Sequence, residues 1–147
     1  MDDDMLIKAG IIGALATVLS EIASRILLFI GFSKYSVYQL NSLIVTLTRP
    51  STIIGLIVNF IVGSLLSAML YIAFKKWGSG YIIIKCIMVS LFTWLLWEMI
   101  FTISIEGKIL DLRPISDYYS HLICTFVYGA SMGILLKYCI FNKKKFN

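Results

Sequence analysis

Four stretches of this chain, residues 7–32, 52–74, 81–105 and 118–141, are almost unbroken runs of apolar residues. Each has the length, about 20 residues at about 1.5 Å apiece, that carries a helix across the ~30 Å hydrocarbon core of a bilayer. The whole chain agrees with that reading. Of its 147 residues 59% are hydrophobic and 14% charged, and the mean hydropathy is +0.90, values that a soluble domain with a polar surface hardly reaches. Recognisable breakers bound the runs: Lys75-Lys76-Trp77-Gly78-Ser79-Gly80 separates the second from the third, and Arg49-Pro50 and Arg113-Pro114 precede the second and fourth. The expectation is an all-α fold, a single transmembrane domain over 1–147 in which four helices form a polytopic bundle with antiparallel neighbours.

The net charge of +5 does not indicate nucleic acid, because the basic residues stand at the ends of apolar segments rather than on one face. Lys8, Lys75, Lys76, Lys85, Lys137, Lys143, Lys144 and Lys145 fall on one side of the membrane, against Lys34, Arg49, Lys108 and Arg113 on the other. This excess places both termini in the cytoplasm of a multi-pass plasma-membrane protein. Trp77, Tyr81, Tyr118 and Tyr119 lie at span ends, where interfacial aromatics belong. Lys143, Lys144 and Lys145 form the positive-inside anchor and a contact for anionic lipids. Cys86, Cys124 and Cys139 all lie inside apolar runs without C-x-x-C spacing, so free, buried thiols are expected rather than disulfides or a zinc site. The opening Met1-Asp2-Asp3-Asp4 lacks a basic leader and a cleavage pattern, so the first span is expected to remain in the mature protein. Between the first two spans, Val37, Leu40, Leu43, Ile44 and Leu47 recur at helical spacing, which predicts a short amphipathic helix over 36–48 lying on the outer interface.

The halves resemble one another. A shift of 77 lays Lys8 on Lys85 and Glu21 on Glu98, a shift of 64 lays Arg49-Pro50 on Arg113-Pro114, and a shift of 66 superposes Phe60-x-x-Gly63 on Phe126-x-x-Gly129. The shifts differ because the first half carries extra residues in its outer loop. The pattern predicts two tandem helical hairpins, parallel repeats related by an approximate two-fold along the membrane normal.

Within the spans, the residues that are not large and apolar follow four-residue strides. They are Gly13, Thr17, Glu21, Arg25 in the first and Gly55, Asn59, Gly63, Ser67 in the second, then Cys86, Ser90, Trp94, Glu98, Thr102 and His121, Thr125, Gly129, Gly133. Lipid supplies no hydrophobic drive between helices, so contacts form where small residues let backbones approach and polar groups find partners. Gly13, Gly55, Gly63, Ser67, Gly129 and Gly133 are the expected packing positions. Gly129-x-x-x-Gly133 is a GxxxG that serves packing within the bundle or dimerisation.

Ionised side chains near a helix centre cost about 2.5–3.5 kcal/mol each on the insertion scale, whereas a large apolar residue contributes only about 0.3–0.6. Two unpaired charges would therefore nearly cancel the insertion energy of the first span. Glu21 and Arg25, four apart in acid-first order, can pair within it. Glu98 lies ~10 Å below the outer end of its span, with Asn59 near its level and His121 shallower. Glu21, Arg25, Asn59, Glu98 and His121 thus converge as an intramembrane polar cluster in the outer half, beneath an outer rim of Arg49 and Arg113. Two readings stand. In one, Arg25 bridges Glu21 and Glu98 in a structural network completed by Asn59 and His121. In the other, two carboxylates sharing one arginine leave one free to exchange a proton or bind a cation.

No metal or cofactor is expected. The chain has one histidine, no nucleophile motif beside it, no H-E-x-x-H, no phosphate loop and no haem motif, which argues against an enzyme. Two classes remain: a non-catalytic structural or accessory membrane component, acting alone, as a homo-oligomer or with a membrane-protein partner; and a small proton- or cation-coupled transporter or channel using Glu98, Glu21 and Arg25. Ala16-x-x-x-x-Glu21-Ile22, followed by Gly31-Phe32, is similar to the first helix of the small multidrug-resistance transporters. The long outer loop, Arg25 and Glu98 depart from that pattern, so its substrate site does not carry over to Glu21. The whole chain more closely resembles uncharacterised four-helix bacterial inner-membrane proteins, through Gly10 to Gly13 in the first helix and Tyr128-Gly129 to Gly133 in the fourth. That resemblance implies a bacterial membrane location and no function.

Overall fold

The computed structural model describes residues 2–142. Within them run α1 (Asp2–Phe29), α2 (Val37–Thr46), α3 (Thr52–Trp77), α4 (Ile82–Ser104) and α5 (Ile115–Leu136), the last continuing as a π-helical turn over Lys137–Phe141. Four of the five, α1, α3, α4 and α5, are long and apolar enough to cross a membrane. Large apolar side chains such as Ile53, Met69, Met88 and Ile103 stand exposed along them. In water that surface would be a liability; against acyl chains it is the surface a spanning helix needs.

Local chemistry fixes where the helices stop. After α1, Gly31 takes φ +76, and its N–H donates to Leu28 O while Phe32 N–H donates to Leu27 O. This closes the last turn in the paired pattern that a left-handed glycine allows. Lys75 and Lys76 occupy the last turn of α3, where cations face the negative end of the helix dipole. Lys143, Lys144 and Lys145, expected as anchor and lipid contact, lie outside the described residues.

The long helices alternate in direction, and α1 packs along α3 on one side and α5 on the other, with α5 packed along α4. The spatial order is therefore α3, α1, α5, α4, with the inner pair more buried than the outer pair. Contact is closest where side chains vanish. A Cβ built on Gly13 would sit 2.1 Å from Gly63 O and 2.5 Å from Ser67 Cβ, and one on Gly129 or Gly133 would meet Ile87 Cα or Ile83 Cα at 2.8 Å. Toward the chain termini the four helices close on an apolar core that includes Ala9, Ile12, Leu70, Cys86, Met132 and Leu136. Among the described residues all three cysteines are free thiols; Cys86 and Cys124 are buried, but Cys139 is exposed, contrary to expectation.

Two features depart from the symmetrical bundle of the sequence reading. An exact two-fold would press α3 on α4 as α1 presses on α5, yet those outer helices have no comparable contact. And α2, expected as an amphipathic helix on the outer interface, packs on α3 and meets the end of α4. Its Tyr38, Leu40, Ser42 and Leu43 are buried, and Leu40 and Leu43 pack with Phe101 and Ile105 at the end of α4. Its Tyr38 carbonyl lies so close to Gly55 of α3 that an added Cβ would stand 1.8 Å from the oxygen.

Because the obstacle at Gly55 is backbone, Gly55→Ala must displace α2 or α3, and a loss of about 1–3 kcal/mol is expected. Gly80, which has no neighbour within 4 Å of its would-be Cβ, supplies the control. Thermal unfolding of the two alanine variants in one detergent checks the contrast, Gly80→Ala matching the parent and Gly55→Ala melting lower.

Candidate functional site

The polar side chains of the spans gather at the α2 end of the bundle, but in two separate pairings rather than one. In the first, Glu21 Oε1 accepts from Arg25 Nε at 2.7 Å, one helical turn along α1. Its Oε2 accepts from Tyr38 N–H at 2.9 Å. Ser24 Oγ accepts from Val37 N–H at 2.9 Å, and Ser36 and Gln39 complete a capping box. The free N–H groups that begin α2 are thus met by side chains, two of them from α1. Glu21 holds a carboxylate at the positive end of α2, the placement the helix dipole favours. Arg25 also donates Nη2 to Thr52 Oγ1 at 3.0 Å, and its side chain remains 42% exposed.

The second pairing centres on Arg113. Its Nη2 donates to Glu98 Oε2 at 2.7 Å and to Glu106 Oε2 at 3.3 Å, while its guanidinium lies against the Phe101 ring at 4.7 Å and the Tyr118 ring at 4.5 Å. Glu106 also accepts from Arg113 N–H at 2.7 Å and from the Tyr118 hydroxyl. Burial pushes the Glu106 carboxyl up, but Tyr118 and the two Arg113 donors outweigh it and hold it below its usual range. His121 Nδ1 lies 2.9 Å from Glu98 Oε1. Asp117, in the first turn of α5, accepts from Lys34 N–H at 2.6 Å, which stitches the α1–α2 loop to the second hairpin. Among the described residues no group of His, Cys, Asp and Glu is arranged to hold a metal ion.

Between these pairings, Asn59 Oδ1 accepts from Asn41 Nδ2 at 2.9 Å and its Nδ2 donates to Gly55 O at 2.8 Å. Asn41 Oδ1 in turn accepts from Trp97 Nε1 at 2.8 Å. This relay joins α3, α2 and α4. Below it lies a cavity of about 110 Å³, bordered by Asn41, Asn59, Val62, Trp94, His121 and Tyr128 among others.

The structure therefore distributes the expected cluster. Glu21 and Arg25 belong to one pairing, Glu98 and His121 to the other, and Asn59 to the amide relay between them. Arg25 meets Glu21 but has no bond to Glu98; the bridging arginine is Arg113, expected on the rim and in fact 6% exposed. Arg49 is exposed. Gly13, Gly63, Ser67, Gly129 and Gly133 lie at helix–helix contacts, and Gly55 lies under α2. Sequence reasoning missed Glu106, Asp117 and Tyr118. One sign was available: Glu106, Arg113 and Tyr118 flank a short loop in which every polar group must be either wet or paired.

Removing one partner of a buried ion pair strands the other, so Arg113→Leu, which leaves Glu98 and Glu106 facing each other, is expected to cost about 3–5 kcal/mol. Arg113→Lys should recover only part of this, since an ammonium can meet both carboxylates from one nitrogen, as Nη2 does, but lacks the planar guanidinium that lies against the Phe101 and Tyr118 rings. Arg49→Ala should stay within about 0.5 kcal/mol of the parent. Chemical unfolding of the three variants in detergent measures this. The lowered Glu106 carboxyl also sets a pH dependence. Its stabilisation is fully present above the unfolded carboxylate value of about 4.3 and is lost as pH falls through the lower folded value. Melting followed from pH 7 down to 3 should show that loss, diminished in Glu106→Gln.

Comparison with known proteins brings no match: no family model, no curated protein and no solved structure is similar to this chain.

Proposed function

We propose that this protein is a non-catalytic integral component of a bacterial plasma membrane, structural or accessory in role, whose outer half is fixed by buried polar pairings. The observation that carries the reading is the pairing of each buried glutamate with a cation: Glu21 with Arg25, and Glu98 and Glu106 together with Arg113. Carboxylates tied in this way define a geometry and have little freedom to bind and release a coupling ion. The excess of basic residues at the terminal end supports cytoplasmic termini, with α2 and the Glu106–Arg113 loop outside. The tandem-hairpin origin is supported by the recurrence of Glu21 as Glu98 and of a glycine contact in each hairpin. A homo-oligomer or a membrane-protein partner would cover part of the exposed apolar face, and Lys143, Lys144 and Lys145 would meet anionic lipid.

One observation favours the transport reading instead. His121 stands beside Glu98 at the cavity wall, a pair able to exchange a proton. Proteoliposomes loaded with a pH-sensitive dye separate the two: under an imposed proton or cation gradient, flux equal to that of empty liposomes is expected. A flux that Glu98→Gln abolishes while the protein stays folded would establish the transporter. Sidedness has its own measurement: with Cys139 replaced by serine, Ser79→Cys should react with an impermeant thiol reagent only from the cytoplasmic face and Lys108→Cys only from outside.

A further inference from the structure

The cavity between α3 and α4 is not accounted for by a structural role, and its chemistry is specific. Three buried polar atoms on its wall have no partner in the protein: Ser90 Oγ, Trp94 Nε1 and His121 Nε2. His121 and Ser90 are 5% and 1% exposed. An unpaired donor or acceptor in so apolar a place is costly, and the great majority of such groups are satisfied.

The polarity of each atom follows from its neighbours. Glu98 Oε2 accepts from Arg113, and its Oε1 faces His121 Nδ1, so Nδ1 carries a hydrogen and Nε2 is left facing the cavity, an acceptor on a neutral ring and a donor on a charged one. Trp94 Nε1 only donates, and Ser90 does either. Ser90 and Trp94 are one helical turn apart on α4, with Glu98 a further turn on, so the polar atoms form a column on the order of 12 Å long. The complement is a group that takes a hydrogen from Trp94 and either gives one to His121 or takes one from it. A hydroxyl or a carboxyl group meets both conditions.

The shape selects the rest. The cavity is closed toward the termini by the apolar core that begins with Leu70 and Tyr71. Toward the opposite end it is roofed by α2, whose Val37 and Asn41 line it. What remains is the seam where α3 and α4 fail to pack, and Val62, which borders the cavity, is exposed there. That opening faces lipid. Its volume of about 110 Å³ has room for a polar head and its first carbons.

We propose that the α3–α4 cleft binds a single-chain amphiphile with a hydroxylic head, a fatty acid or a long-chain alcohol, taken from the bilayer. The head lies between His121 Nε2 and Trp94 Nε1, and the chain leaves through the seam past Val62 into the acyl region.

The test uses the full chain in detergent micelles, carrying Trp77→Phe so that the remaining indoles are those of the cleft, Trp94 and Trp97. The probes are 9,10-dibromostearic acid, 9,10-dibromostearyl alcohol and the methyl ester of the acid, whose bromines quench tryptophan at close range. Saturable quenching by the acid, the alcohol or both is expected, and which of them saturates identifies the source of the hydroxyl. The ester, with neither an O–H nor a charge to offer, should bind about tenfold more weakly. Val62→Phe fills the mouth without touching the polar network and should abolish the saturable phase at unchanged melting temperature. Quenching that is linear and equal for all three probes, or saturable quenching that survives Val62→Phe in a folded protein, overturns the proposal. A cleft occupied by water alone would give the first of these results.

Discussion

Arg113 carries its charge into the protein interior, where it is buried from solvent, and the end of α4, the following loop and the start of α5 are arranged around it. Two carboxylates face it, Glu98 from α4 and Glu106 from the connecting loop, both on Nη2, and the Phe101 and Tyr118 rings lie against its guanidinium, whose Nε and Nη1 have no hydrogen-bond partner in the protein. These four partners come from three segments, so placing one guanidinium ties together the end of α4, the course of the loop and the start of α5. Desolvating these ions costs several kcal/mol apiece, and the network need not add net stability over an apolar substitute. Its effect is on uniqueness: any other arrangement of these segments would leave a charge unpaired in a medium that cannot screen it.

The first hairpin solves a similar problem differently. Glu21 has Arg25 on its own helix, and its second oxygen is given to the N-terminus of α2. A carboxylate that might have remained an isolated intramembrane charge becomes the peg on which α2 hangs. With Gly55 removing the steric obstacle and Asn41 bonded to both Asn59 and Trp97, α2 is held between α3 and α4 at one end of the bundle. There it spreads them and roofs the cavity below.

Hydropathy alone made the four long apolar helices legible, because the bilayer demands about 20 apolar residues per crossing whatever the neighbours are. The glycine strides were legible for a related reason: with no side chain to bury, their use is close approach. The pairing of charges was not legible. Arg25 and Arg113 look alike in sequence, each near the end of a span, and periodicity places Arg25 on the polar face while assigning Arg113 to a loop. Which one reaches Glu98 depends on the loop after α4 turning inward at Gly107, φ +74, and sealing Arg113 beneath it. Tertiary closure of that kind leaves no periodic trace. The depth of α2 was hidden for the same reason, since its helical spacing predicts an apolar face but not the helices that face will meet.

The extra residues of the first outer loop bear on the symmetry of the whole. Two equal hairpins packed about a two-fold would bury α3 against α4 as fully as α1 against α5, and the centre would be filled by their small residues. The first outer loop is the longer of the two and forms α2, which packs on α3 and meets the end of α4. Helices separated at one end cannot close along their length without bending, and neither α3 nor α4 contains a proline to bend at. The gap therefore persists below α2 as a cleft walled by Val62 on one side and Trp94 on the other. Polar atoms that in a symmetrical bundle would have met a facing helix, Ser90, Trp94 and His121, are left pointing at it. With α2 above it and α3 and α4 apart below, the cleft keeps those three polar atoms on its wall.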